Sequence, residues 1–164
     1  MKEVEVNKQA KLSEHFSLGE MTKTSYHPQD GNIPSRVHIE NLINLCENWL
    51  EELRFSYNTL YCLDPGEDYE TSKDVEPIII NSGFRSPDTN QLCGGATHSN
   101  HLTGCAVDIQ CAGKEQAIRY ACILLDIADG KKQDFDELIL EKRGTTIWVH
   151  FAVRPRGNRR YVDF

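Results

Sequence analysis

Between Ser35 and Arg54 the apolar residues Ile39, Leu42, Ile43, Cys46, Trp49, Leu50 and Leu53 return at steps of three and four. That spacing lays them along one stripe and predicts the strongest helix in the chain. A second amphipathic run, Lys114 to about Ala128, carries Ile118, Ala121, Cys122, Leu125 and Ala128 on one face. Upstream, Ser17-x-x-Glu20 has the spacing of a capping box and starts a short helix. His27 to Pro34 is a run of turn formers and reads as loop. Elsewhere the pattern is that of strands. Pro77 to Ile80 is short, β-branched and bounded by turn residues. Cys105 to Cys111 alternates, and Leu138 to Leu140 and Ile147 to Val153 flank Lys142-Arg143-Gly144-Thr145 as a β-hairpin. Residues 55–76 and 81–99 read as loops, the first with an acidic run from Asp64 to Glu76 that would rim a cleft. Residues 1–11 are polar and are expected to fray. The order predicts an α+β fold, a small antiparallel-rich sheet with helices packed on it.

Composition narrows the class. A chain of 164 residues has room for one domain, 1–164, and two cores would be cramped. No stretch approaches the roughly 20 apolar residues of a membrane span. The net charge of −7 argues against a protein that grips nucleic acid through its phosphates. Neither a membrane nor nucleic acid is therefore expected as a partner, and a monomer is the expected state. The one basic cluster, Arg154, Arg156, Arg159 and Arg160, reads as a solvated tail. The opening MKEVEVNKQAKLSEHF has no apolar core of a secretory signal, so synthesis in the cytoplasm is expected. The six cysteines include no C-x-x-C pair and are expected to be free thiols.

The candidate chemistry lies on the strands. Because side chains alternate, Cys105, Val107, Ile109 and Cys111 share an apolar face, and Ala106, Asp108 and Gln110 share the other. Likewise Ile147, Val149, Phe151 and Val153 face the core, while Trp148, His150 and Ala152 face away. An Asp and a His thus stand on the non-core faces of two strands, each beside an alanine. If the strands adjoin, they line one cleft. His101 lies on a loop seven residues before Asp108, with Gly104 between them to let the chain turn back. Two imidazoles and a carboxylate form a set that zinc accepts while keeping a fourth position for water. Spacing alone leaves open an ordinary strand histidine and a turn-capping aspartate. His15, His27, His38 and His98 are not needed for the set.

Ser82-Gly83-Phe84-Arg85-Ser86-Pro87, then Asn90, Ser99-x-His101-x-x-Gly104-x-Ala106-x-Asp108-Ile109 and Trp148-Val149-His150 together resemble the M15 family of zinc peptidases, the D-alanyl-D-alanine carboxypeptidase-like enzymes that include cell-wall peptidases and phage endolysins. The likeness runs from about residue 12 to 153 and is nearest the subgroup with a bare catalytic domain. It implies the hedgehog/D-Ala-D-Ala peptidase-like fold, zinc held by His101, Asp108 and His150, and a peptidoglycan peptide as substrate. It also implies Arg85 as a grip on substrate carboxylate, which a guanidinium performs in bidentate fashion. A structural ion pair is the other reading of Arg85. Ser99 would bond substrate or support the ligand beside it, or simply form a turn. Several members place the catalytic acid three residues before the last histidine, where this chain has Ile147. The subgroup has an acid on the preceding strand instead. With a tight turn at 143–144, Glu137, Ile139 and Glu141 share the face of Trp148 and His150. Glu141 is the first choice of base, then Glu137, then Asp136.

The expected function is therefore hydrolysis of a peptide or D-amino-acid amide bond by metal-activated water, with Glu141 as base. A non-catalytic zinc-containing binding module on the same fold, as hedgehog domains resemble, is the alternative, and a structural domain without metal is the third reading.

Overall fold

The computed structural model describes residues 7–164. Of the stretch expected to fray, 1–6 lie outside the described residues. Residues 7–11 are held rather than loose: Lys11 bridges Ser17, and the carbonyls of Lys8 and Ala10 accept from Gly19 and Leu18.

The first helix, α1 (Leu18–Thr22), begins at Ser17 with the reciprocal capping bonds that its spacing predicts. The predicted long helix is a continuous rod made of α2 (Arg36–Leu45), one wide π turn (Cys46–Leu50) and α3 (Glu51–Tyr61). It runs past Arg54 because its apolar stripe continues through Tyr57, which is buried edge-on against Tyr120 at 4.8 Å. The acidic run that follows folds back on α3. Asn58 bonds both the carbonyl and the amide of Glu76, and Tyr69 packs on Phe55. The pocket this run borders is lined by residues such as Phe55, Leu63 and Tyr69 and by none of the candidate ligands, so it rims a different cavity.

A five-stranded sheet follows, built from β1 (Ile80–Ser82), β2 (Ala106–Cys111), β3 (Glu137–Arg143), β4 (Thr146–Ala152) and β5 (Tyr161–Asp163) in the order β1-β2-β4-β3-β5. The pairs are antiparallel except β3 with β5. The stretch between β1 and β2 is less irregular than its composition suggests. It holds α4 (Pro87–Leu92), which Ser86 caps and Pro87 opens, and a 3₁₀ turn at Asn100–Thr103. The last helix is α5 (Lys114–Gly130).

The long rod and α5 cover one face of the sheet. Val107, Ile109, Leu138, Val149 and Phe151 are buried there, with Trp49 against Phe151 at 5.1 Å. Burying that face at roughly 25 cal/mol per Å² is the main force that fixes the register, because a slip of one residue would turn the whole apolar set outward. The opposite face is left to Asp108, His150, Glu137 and Trp148. No helix among the described residues is long and apolar enough to cross a membrane.

The C-terminal basic cluster corrects the expectation of a solvated tail. Arg154 and Arg159 pair with Asp136, and Arg160 pairs with Asp129 and Asp134. All six cysteines are free thiols.

Candidate metal centre

His101 is placed by backbone geometry. Its 3₁₀ turn starts at Ser99, whose Oγ accepts from the His101 amide at 3.2 Å, and ends at Gly104 in the left-handed region with φ of 72°. A Cβ on Gly104 would sit 2.5 Å from the carbonyl oxygen of His38, so the turn closes only on glycine. The imidazole Nδ1 lies 2.7 Å from the carbonyl of Gly83. Gly83 is itself pressed against the backbone of Met21, where a side chain would not fit.

The register of β2 and β4 supplies the other two groups. Asp108 stands directly opposite His150. Oδ1 of Asp108 lies 3.0 Å from Nδ1 of His150 and 3.3 Å from Nε2 of His101. The three residues are buried, and each offers one ligand atom within 4.8 Å of the other two. Ligands about 2.1 Å from a tetrahedral zinc stand roughly 3.4 Å apart, close to the two shorter separations here.

The hydrogen bonds around the rings show what belongs between them. A carbonyl only accepts, so the proton on neutral His101 sits on Nδ1, facing Gly83. Nε2 of His150 lies 2.7 Å from Oε2 of Glu137 and Nδ1 faces Asp108, so a neutral ring donates to only one of the two carboxylates. With its proton on Nδ1, neutral His101 points a bare Nε2 lone pair at a carboxylate oxygen 3.3 Å away. A lone pair and a carboxylate oxygen at that distance repel unless a positive charge stands beside them. In the metal-free protein a proton on His150 takes that place. Burial alone would lower the His150 pKa, but the bonds to Asp108 and Glu137 outweigh it and raise it to about 9. Burial would likewise raise Asp108, yet His101 and His150 hold its carboxyl far below the usual range. The donor set thus fits a divalent cation, with one outer partner on each histidine of the kind that orients metal ligands.

The remaining predicted residues sort by their contacts. Arg85 donates from Nη2 to Oδ2 of Asp108 at 2.8 Å and from Nε to Ser82 at 2.9 Å. It holds the candidate ligand itself, and only its other N–H groups are left for a substrate carboxylate. Ser99 caps the turn of His101 and keeps its hydroxyl proton. Asp136 is fully buried and receives Arg159, Arg154 and Asn100. Burial would raise its carboxyl, but the bonds from Arg159 and Asn100 win and hold it at about 2. Its oxygens are occupied, which removes it from the choices of base. Glu137 is removed as well, because one oxygen meets His150 and the other Arg159. The His150 bond is the largest cause that holds its carboxyl at about 2. Glu141 stands opposite Trp148, accepts from the indole with Oε2, and keeps Oε1 without a hydrogen-bond partner among the described residues. Ile147 faces the core on the side away from His150, so on this strand an acid there would miss the centre. His98 is exposed and lines an open groove of about 500 Å³ with Val37, Leu102 and Arg156, on a wall that also includes Ser99.

Sequence reasoning missed the Gly83 carbonyl and Arg159. Gly83 sits inside the Ser82–Pro87 motif, so a signal for it was present. Arg159 carried none beyond its charge.

His101 on the turn before β2, Asp108 on β2 and His150 on β4 thus form a buried group that could hold a metal ion. A family model described as Peptidase M15 matches residues 14–135, and the chain belongs to that peptidase family. The matched span includes His101 and Asp108, and the hairpin that carries His150 lies beyond it. No curated protein matches the chain.

Proposed function

We propose that the protein is a zinc peptidase that hydrolyses a peptide or D-amino-acid amide bond of bacterial peptidoglycan. The observation that carries the metal is the buried gathering of Nε2 of His101, Oδ1 of Asp108 and Nδ1 of His150, with the far ring nitrogens met by Gly83 and Glu137. His101 through Nε2, Asp108 through Oδ1 and His150 through Nδ1 would hold the ion. Zinc, when bound, lowers the pKa of water and polarises a carbonyl, the two things amide hydrolysis lacks at neutral pH.

The chain's own groups supply the rest. Glu141 takes the proton of the attacking water on its free oxygen and returns it to the leaving amine. Its place on the face of His150, and the engagement of Glu137 and Asp136 elsewhere, support that role. Arg85 fixes Asp108 and turns its unused N–H groups to a substrate carboxylate. Ser99 offers its hydroxyl to the substrate backbone. The peptidoglycan substrate rests on the likeness of the Ser82–Pro87, Ser99–Asp108 and Trp148–His150 motifs to cell-wall peptidases.

The test is metal content and release of D-alanine or muropeptides from purified peptidoglycan, on wild type and His150→Ala. About one zinc per chain, lost in the variant together with hydrolysis, is expected. Zinc without hydrolysis of any wall type would replace the peptidase with a binding module, and absence of zinc uptake would overturn the reading.

A further inference from the structure

We infer that Arg159, on the segment after β4, is a positioning residue for the metal centre that acts through Glu137 on His150. The inference rests on the metal reading above and adds a residue that touches neither ligand nor substrate.

Two consecutive acids at the start of β3 share this one guanidinium. Arg159 grips Asp136 with Nε at 3.0 Å and Nη2 at 2.9 Å, and its backbone amide adds a third bond at 3.0 Å. The same Nη2 also meets Oε1 of Glu137. Glu137 then places its other oxygen, Oε2, 2.7 Å from Nε2 of His150. Asp136 anchors the array. It is wholly buried and also accepts from Asn100, the residue before His101, at 2.8 Å.

A glutamate at a half-buried strand start has several rotamers open to it, and only some of them reach His150. Arg159 removes that freedom by pinning Oε1, which leaves Oε2 aimed at the imidazole. The consequence falls on the choice of nitrogen. When the ring gives its Nε2 proton to Glu137, Nδ1 is the atom left to hold a metal beside Asp108. Without Glu137 the ring can turn over and offer the wrong atom. A planar fork spans two carboxylates at once, which the point charge of a lysine does not do. Charge pairing alone is a weak account of Arg159. Its side chain is 52% exposed, where ion pairs contribute little, and Arg154 already serves Asp136.

The experiment is a double-mutant cycle on the full chain, with Arg159→Ala, Glu137→Ala and both together. Zinc affinity is read by competition with a chromophoric chelator, and metal-free thermal stability is measured alongside. Each single change is expected to weaken zinc by about 10-fold or more, the usual effect of losing an outer partner of a ligand. The double variant is expected to be no weaker than Glu137→Ala, because Arg159 has nothing left to act through. Arg159→Lys should recover metal-free stability but not zinc affinity, and it serves in place of the alanine variant if that fails to fold. Unchanged zinc affinity in folded Arg159 variants, or losses that add in the double variant, would overturn the inference and leave the metal reading intact. Failure of wild type to take up zinc would instead overturn the metal reading, and this inference with it.

Discussion

Asp108 and His150 face each other across β2 and β4, and a single oxygen of Asp108 lies within 3.3 Å of a nitrogen from each of two histidines. That oxygen is the pivot of the centre. Its partner on the same carboxylate is taken by Arg85, so the group cannot rotate to relieve the crowding.

Asp108→Asn keeps the shape and removes the charge. The variant is expected to lose stoichiometric zinc and all hydrolysis above background. It should also be less stable without metal, by about 3 kcal/mol, because Arg85 is left without its buried carboxylate. Metal analysis and urea denaturation of the metal-free protein check both parts.

Glu141→Gln separates chemistry from binding. The amide oxygen can still accept from Trp148, so fold and zinc content should stay as in wild type. Turnover should fall by roughly 10²–10⁴-fold, the range for loss of a general base. Wild-type turnover in this variant would remove Glu141 from the mechanism.

Acid stability should depend on Asp136. Its carboxyl is held at about 2 in the folded protein against an ordinary value of 3.8. A lowered folded pKa contributes stability that is present above about pH 4 and is lost as pH falls through about 2. The contribution is about 2 kcal/mol at neutral pH. Glu137, also held at about 2, adds in the same direction. Urea midpoints for wild type should change little from pH 7 to 4 on this account and fall from pH 4 towards 2, the fall being shallower for Asp136→Asn.

Gly104→Ala tests the turn that presents His101. The left-handed φ alone costs about 1–2 kcal/mol for a residue with a Cβ. The added methyl also meets the His38 carbonyl at 2.5 Å. Lower thermal stability together with weaker zinc binding is expected. Zinc binding at wild-type strength would mean that the turn can shift without moving the ligand.

Much of this was legible from residue order. The alternation over Cys105–Cys111 and Ile147–Val153 assigned Asp108 and His150 to the open faces of their strands, and the hairpin turn at Gly144 put Glu137 and Glu141 on the face of His150. Local rules were enough there, because a pleated strand leaves each side chain only two directions. The Ser17 cap and the helix stripe through Trp49 were local in the same sense. The helix end at Tyr61 was not, because Tyr57 is kept helical by Tyr120, some sixty residues away. The helix opened by Ser86-Pro87 was a local signal that the surrounding glycines obscured.

The sequence by itself determined that Asp108 and His150 occupy the open faces of their strands, since strand period is a property of a few neighbours, while His101 joined them through the likeness of its motif to the peptidase family. Only the tertiary structure decided that β2 lies beside β4, which nitrogen of each histidine turns inward, and which acid stays free. Those outcomes depend on contacts between segments far apart in the chain: Gly83 with His101, Glu137 with His150, and Arg159 with Asp136 and Glu137. The C-terminal arginines show the difference most plainly. As a string they are a basic tail, and only packing shows that Asp136 is buried and must be paired.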